Sequence, residues 1–188
     1  MADVADEMLP PRTFHCDECG FDARTVSEAE LVTTIGSFAR RFRAPLTRFL
    51  PGEDGAAVVR HRPAPDVWSA LEYAGHVRDV LAFYRRRVEL VLAEERPTFE
   101  RIGQVTPPER VATFHDEDEA RTAEELATEA TALADLLGSL APEQWGRIGL
   151  SSEGDGAERP IRQLAERAAH DAHHHLLDVG RSLRSARL

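Results

Sequence analysis

The stretch "IRQLAERAAHDAHHHLLDVGRSL", residues 161–183, decides the fold class because its apolar residues recur at helical spacing over about six turns. At about 100° per residue these side chains form one stripe, which must be covered by neighbouring helices. The stripe consists of Leu164, Ala165, Ala168, Ala169, Ala172, Leu176, Val179 and Leu183. Pro160, a favoured first-turn residue, marks the start of this helix.

Three further segments predict long helices of the same kind. Each opens with a hydroxyl residue followed three positions later by glutamate, the pattern of a capping box. The pairs are Ser27/Glu30, Ser69/Glu72 and Thr122/Glu125, and apolar residues at helical spacing follow each of them. The sequence therefore predicts an all-α protein with a four-helix bundle over residues 27–188. The long connection from about 96 to 121 argues against a simple up-down-up-down order.

Composition and charge exclude several classes of protein. The net charge of −10 argues against a nucleic-acid-binding protein, because no basic stretch stands out as a phosphate-binding surface. No apolar run approaches the roughly 20 residues needed to cross a bilayer. The first residues, "MADVADEMLPPR", lack the basic and apolar regions of a secretory signal. We therefore expect a cytoplasmic protein with no membrane partner.

The helix over residues 161–183 also carries a cluster of histidines whose register selects a metal-binding pair. Counted from Ile161, His175 falls at roughly 320°, within the apolar stripe, and Asp171 at roughly 280°, on its edge. His170 and His174 fall at roughly 180° and 220°, on the far side. Asp171 and His175 are thus the i, i+4 pair that faces the bundle and can share a divalent cation. An Asp–His hydrogen bond without metal explains the same spacing.

A third ligand is offered by His76, which lies in the stretch "WSALEYAGHVRDVL", residues 68–81, on the second predicted helix. A single histidine at such a position is usually a core residue with a hydrogen-bond partner. Together with Asp171 and His175 it would complete three protein ligands, the number typical of catalytic metal sites that leave a position open.

These two stretches, "WSALEYAGHVRDVL" and "HDAHHHLLDV" (residues 170–179), resemble the DinB-like superfamily of four-helix proteins. That superfamily includes metal-dependent thiol S-transferases and mycothiol-dependent maleylpyruvate isomerases, and the resemblance extends over about residues 27–184. It implies a metal held by His76, Asp171 and His175, because the final ligand is typically followed by a pair such as Asp178-Val179. The extra histidines depart from the family pattern and leave His170 and His174 as an alternative pair.

The resemblance also implies a reaction. A divalent metal, with zinc expected and nickel or iron as alternatives, would activate a small-molecule thiol such as mycothiol toward an electrophile or a double bond. Family members often pair through their helices, so a homodimer is expected by analogy. The alternatives on the same fold are a non-catalytic metal-binding sensor, a small-ligand carrier and a stress-related interaction protein.

Four charged residues are candidates for roles around this site. Asp79 and Asp178 lie close in sequence to the predicted ligands and could orient their imidazoles, as carboxylates next to metal-bound histidines commonly do. Ordinary solvated carboxylates are the alternative. Arg78 and Arg181 are candidates for binding the carboxylates of a thiol cofactor or substrate.

The segment "FHCDECGFD", residues 14–22, predicts half of a structural zinc site within an N-terminal extension, residues 1–26. Cys16 and Cys19 have the spacing of a zinc knuckle, in which the turn directs both thiolates to one metal. The missing ligands could come from a second copy of the motif or from this chain, where the candidates are His15 with Asp17, His61 and His115. The alternatives are a redox-active dithiol and an exposed arm with neither function.

Overall fold

The computed structural model describes residues 14–99, 106–152 and 156–188. These residues form the helices α1 (Glu28–Thr47), α2 (Gly55–Arg60), α3 (Ala70–Ala93), α4 (Pro108–Phe114), α5 (Glu119–Gly138) and α6 (Ile161–Ser185), a 3-10 helix (Pro142–Gly146) and the strands β1 (Ile148–Leu150) and β2 (Glu158–Pro160). The first thirteen residues of the predicted N-terminal extension lie outside the described residues. The all-α class is confirmed, and no helix in the described ranges is long and apolar enough to cross a membrane.

The four long helices form a bundle in which sequence neighbours are not always spatial neighbours. Helix α1 packs against α5 and α6, and α3 packs against the same two helices. Two consecutive long helices, α1 and α3, are therefore diagonal to each other. This arrangement confirms the expected departure from simple up-down-up-down order.

Two of the three predicted capping boxes are confirmed. The backbone N–H of Ser27 donates to the Glu30 carboxylate at 2.7 Å, and that of Ser69 donates to Glu72 at 2.8 Å. In each case the serine hydroxyl accepts from the glutamate N–H in return. The sequence pattern therefore gives the start of α1 and α3 correctly.

The third capping box, Thr122/Glu125, is wrong. Helix α5 begins upstream of the threonine, because the carboxylate of Asp118 caps it by accepting from the Arg121 N–H at 2.8 Å. Thr122 is buried within the first turns, where its hydroxyl donates to Glu117 at 3.0 Å. An aspartate placed upstream is a sufficient cap by itself, so the helix starts at the first good cap.

The predicted apolar stripe of α6 is the part of this helix that enters the core. Seven of its eight members are buried and Leu176 is partly buried against the core. The buried members of the stripe belong to the same core cluster as buried side chains of the other long helices, including Leu31, Ile35, Phe38, Phe42, Leu71, Leu81, Leu126 and Leu133. Burial of this stripe fixes the rotation of α6 about its axis.

A short antiparallel hairpin, β1–β2, leads directly into α6. Its register pairs Ile148 with Pro160, the residue immediately before the helix. Phe99 lies against it, donating its N–H to Leu150 at 2.8 Å. A Cβ at Gly149 would lie 2.1 Å from the Phe99 ring, so only glycine fits there. Strands of three residues are too short to show a periodic sequence pattern, and the sequence therefore does not predict them.

Glu72 is a fully buried carboxylate at the start of α3, one turn before His76. It accepts from the Ser69 N–H and forms a salt bridge with the Arg62 guanidinium, which donates to both of its oxygens. Burial alone would raise the pKa of Glu72, but Arg62 and Ser69 lower it. Charge and capping together therefore hold the end of α3 that carries His76.

Glu72→Gln is expected to lower the free energy of unfolding at neutral pH by about 1–3 kcal/mol, because it weakens a buried, charge-assisted hydrogen bond. Because the pKa of Glu72 is lowered on folding, this stabilisation is present above its ordinary value of 4.5 and is lost as the pH falls through the folded value. Urea denaturation at neutral and acidic pH measures the difference. Glu30→Gln, at the exposed capping box of α1, is the control and should have the smaller effect; equal losses would contradict this role of Glu72.

Candidate metal centre

His76, Asp171 and His175 converge where α3 packs against α6. His76 Nε2 lies 3.3 Å from Asp171 Oδ1, and His175 Nε2 lies 3.8 Å from the same oxygen. One potential ligand atom from each residue lies within 4.8 Å of the other two. These separations are close to those around a single cation with metal–ligand bonds of about 2.0–2.2 Å. The structure thus brings together the three residues that the sequence selects.

The burial of this group favours a bound cation. The side chains of His76 and His175 are 11% and 15% exposed, and that of Asp171 is 27% exposed. The Asp171 Oδ1 atom is nevertheless buried and has no partner with hydrogen-bond geometry among the described residues. A buried carboxylate oxygen without a partner is costly, and a cation between it and the two imidazoles would satisfy it.

Electrostatics at the centre also favours positive charge. Burial alone would raise the pKa of Asp171, but the His76 and His175 imidazoles lower it to about 2, so the carboxylate is ionised at neutral pH. Burial would lower the pKa of His175, but the carboxylates of Asp178 and Asp171 raise it. A proton or a metal ion bound at the His175 ring would therefore be stabilised by two negative charges.

A second layer of contacts orients both imidazoles. His175 Nδ1 lies 3.0 Å from Asp178 Oδ2, and His76 Nδ1 lies 2.7 Å from Thr106 Oγ1. An ionised carboxylate can only accept, so His175 donates from Nδ1 and its Nε2 faces Asp171 with a lone pair in the neutral ring. The structure thus places Asp178 where the sequence predicts it, and both Nε2 atoms face the centre, as is typical of metal-binding histidines.

Thr106 is a site residue that sequence reasoning missed. It lies in the long connection between α3 and α5, which has no periodic pattern to indicate its position. Helix α4 follows it directly and packs on α3 through the buried Phe114. A Cβ at Gly75 would lie 2.8 Å from the Phe114 ring, so the absence of a side chain next to His76 permits this close packing.

Two aromatic rings enclose the ligand imidazoles. The Trp68 ring meets His76 edge-on at 5.4 Å between centroids, and the Tyr73 ring stacks on His175 at 5.2 Å. Burial, together with the Asp178 charge, raises the pKa of Tyr73 to about 12, so its phenol stays protonated. These rings restrict the rotation of both imidazoles and limit their contact with water.

The predicted role of Asp79 as a partner of a ligand imidazole is wrong. Its carboxylate accepts from Arg110 Nε at 2.8 Å and from Arg78 Nε at 3.0 Å. Arg78 is buried, and its guanidinium also donates to Glu117 at 2.7 Å and Glu125 at 2.8 Å. The arginine on α4 could not be foreseen as a neighbour of α3. Because its guanidinium already binds these carboxylates, Arg78 has a structural role and does not fit the predicted role of binding a substrate.

Arg181, the other arginine predicted to bind a substrate, also forms salt bridges within the protein. Its Nη1 atom lies 2.5 Å from Glu18 Oε1 and 2.9 Å from Asp178 Oδ1. It therefore links the N-terminal segment to the carboxylate that orients His175.

His170 and His174 do not join His76. They lie on the other side of α6, where one nitrogen of each is within 4.8 Å of the other and of the Cys16 and Cys19 sulfurs. The prediction of this pair as alternative ligands of the first centre is therefore wrong. Both histidines face the N-terminal segment, which covers the side of α6 that points away from the bundle.

The residues of this chain that the sequence analysis suggests as further ligands of the cysteine site are not grouped with the two sulfurs. His15 lies 3.2 Å from the Asp17 carboxylate, whereas His61 lies 3.3 Å from the Ser185 hydroxyl. Within the part of the chain that the structure describes, the side chains grouped with both sulfurs are those of His170 and His174.

The interpretation of the cysteines as part of an exposed arm fits the structure poorly. Phe21 and Ala23 are buried in the core cluster, and Cys19 packs against it, so the segment is not an exposed arm. Burial, reinforced by the neighbouring Cys16 thiol, raises the pKa of Cys19 to about 11. The redox-active dithiol stays an alternative prediction.

Comparison with known proteins gives a family and a fold. The model of the DinB superfamily matches residues 39–178, well over half of the chain. The solved structure of YfiT from Bacillus subtilis, described as "a probable metal-dependent hydrolase with an unusual four-helix bundle topology", superposes with a TM-score of 0.71 at 13% identity. The alignment covers 85% of this chain and 89% of YfiT. No curated protein matches significantly.

Thr106→Val is expected to weaken divalent metal binding at the first centre about 10–100-fold, because it removes the hydroxyl that holds His76 Nδ1. Competition with a chromogenic chelator measures the change in affinity. Thr33→Val, at an exposed position of α1, is the matched control and should leave the affinity unchanged. Equal affinities of the Thr106 variant and the wild type would contradict the positioning role.

Proposed function

The chain belongs to the DinB superfamily, and we propose that it is a metal-dependent enzyme whose divalent ion is bound by His76, Asp171 and His175. The observation that carries this proposal is the buried Asp171 Oδ1, which lies between two imidazole Nε2 atoms and has no hydrogen-bond partner among the described residues. Both imidazoles are held from behind through Nδ1. Two nitrogens and one oxygen suit zinc, with nickel and iron as alternatives.

When bound, a divalent ion with three protein ligands keeps a position for a small nucleophile and lowers the pKa of the thiol or water that occupies it. The protein supplies the remainder of the site. Asp178 and Thr106 hold the two imidazoles in the orientation that presents Nε2, and Asp171 supplies negative charge. Trp68 and Tyr73 limit the access of water to the rings.

We propose that the nucleophile is a low-molecular-weight thiol such as mycothiol, as the family resemblance suggests. In a transfer reaction the thiol gives its proton to solvent, its sulfur forms a bond to the electrophilic carbon, and the leaving group departs with the electron pair of the broken bond. In an isomerisation the sulfur adds to a conjugated double bond and is eliminated again after rotation, so that the thiol is regenerated.

Hydrolysis is the second candidate. YfiT, which shares the fold, is described as a probable metal-dependent hydrolase. The same three ligands could hold water instead of a thiol, so the two candidates share a site and differ in the nucleophile. They are distinguished by whether turnover requires a thiol.

His76→Ala, Asp171→Ala and His175→Ala are each expected to lose one equivalent of bound metal and all metal-dependent turnover. Metal content is measured by elemental analysis, and turnover by two assays on zinc-, nickel- and iron-loaded protein: mycothiol with monochlorobimane, and hydrolysis of activated esters without thiol. His115→Ala is the control, since this exposed residue lies outside the centre.

The outcomes separate the candidates. Thiol-dependent turnover supports the transferase or isomerase, whereas turnover of esters alone supports the hydrolase. Stoichiometric metal with no turnover in either assay would favour a sensor, carrier or interaction protein and overturn the proposed enzyme. Unchanged metal content in all three variants would overturn the centre itself.

A further inference from the structure

We propose that Cys16, Cys19, His170 and His174 bind a second metal ion, a structural zinc that fastens the N-terminal segment, residues 14–26, to α6. The site is distinct from the centre of His76, Asp171 and His175 and shares no ligand with it. Two thiolates and two imidazoles make a closed four-ligand set, the type that zinc occupies in structural sites.

The N-terminal segment has the backbone of a metal-binding knuckle. The Gly20 N–H donates to the Cys16 carbonyl and the Cys16 N–H donates to the Phe21 carbonyl, both at 2.8 Å. Gly20 adopts φ of +73°, a left-handed conformation that favours glycine. This tight turn brings the two cysteines to the same side, and their sulfurs face α6.

Helix α6 supplies the other half of the site. His170 and His174 are four residues apart and therefore lie one above the other on one helix face. The Cys16 sulfur lies 3.6 Å from His174 Nδ1. In a tetrahedral zinc site with bonds of about 2.3 Å to sulfur and 2.0–2.1 Å to nitrogen, those two atoms are about 3.6 Å apart. The observed spacing, which is also that of a thiol–imidazole hydrogen bond, therefore suits two ligands of one ion.

Both histidines have surroundings that suit metal ligands. Because His174 Nδ1 faces Cys16, its other nitrogen is free to contact a carboxylate, and Nε2 lies 3.4 Å from Glu18 Oε2. This is the arrangement that orients metal-bound imidazoles. His170 Nε2 is buried and has no hydrogen-bond partner among the described residues. The ring of His170 packs against Phe14 at 4.4 Å and Phe21 at 5.7 Å between centroids.

A different use of His174 is less consistent with its neighbours. Glu18, His174 and Asp178 also lie close enough to share a cation. Arg181 already contacts both of those carboxylates, at 2.5 Å and 2.9 Å, so a guanidinium supplies the positive charge there.

The proposed ion has a clear structural task. The segment over residues 14–26 buries few side chains of its own, chiefly Phe21 and Ala23, and is far too short to form an independent core. Segments of this size commonly depend on a metal ion or a disulfide for stability, and both cysteines are free thiols here. A zinc ion would join the turn to two successive turns of α6.

Metal stoichiometry tests the proposal on the full chain purified without chelators. The wild type is expected to bind two equivalents of zinc, and Cys16→Ser/Cys19→Ser one. His173→Ala is the matched control: this imidazole lies on the same helix, with Nε2 at 3.3 Å from the Cys19 carbonyl, but it is not one of the four proposed ligands, so two equivalents should remain. His76→Ala should lose the other equivalent, so failure of this proposal and failure of the proposed enzyme give different patterns.

Cobalt substitution gives a second readout that does not depend on a cysteine variant folding. Wild type and His76→Ala loaded with Co²⁺ should both show thiolate-to-cobalt charge-transfer bands and the intense visible bands of tetrahedral cobalt. A spectrum without thiolate bands would overturn the proposal. Two equivalents of zinc retained by the double cysteine variant would overturn it as well.

Discussion

Burial of the apolar stripe of α6 against the bundle is the constraint on which the rest of this structure depends. Once Leu164, Ala168, Ala172 and Val179 occupy the core, the helix cannot rotate without exposing them. Every polar residue between them then has a fixed direction. Asp171 and His175 are turned toward α3, while His170 and His174 are turned toward the N-terminal segment. Two polar clusters with different neighbours thus arise from one hydrophobic pattern.

Three carboxylates near the first centre, those of Glu72, Asp79 and Asp178, each have a defined partner. Glu72 binds Arg62 at the start of α3, and Asp79 is drawn away from His76 by Arg78 and Arg110. Asp178 is shared between His175 and Arg181. Asp171 differs, because its Oδ1 atom faces two imidazole nitrogens with no donor in hydrogen-bond geometry in the described part of the chain. That contrast is the physical basis for assigning the cation to this position.

The features predicted correctly from the sequence are those that depend on local spacing. The rotation of α6 and the boxes at Ser27 and Ser69 follow from periodicity and capping chemistry, and the structure has them as predicted. The third box is misplaced because Asp118 competes as a cap just upstream. Thr106 and Arg110 are invisible to the sequence pattern because their positions depend on how α4 packs on α3. Periodicity correctly predicts that His170 and His174 point away from the bundle. It cannot predict that the N-terminal segment covers them, because it describes one helix and not the neighbours of that helix.

The pairs His170/His174 and Asp171/His175 are offset by one residue on α6, so the rotation of this one helix determines the direction of both. That rotation is set by the buried stripe, which begins just after the β1–β2 hairpin, where Pro160 pairs with Ile148 and Ile161 is the first residue of the helix. One residue inserted between Ile161 and His170 would turn everything beyond it by about 100° relative to the preceding stripe. Neither cluster could keep its partners after such a turn. The number of residues between Ile161 and His170 is therefore more strongly constrained than their identity, since these residues need only keep one apolar face.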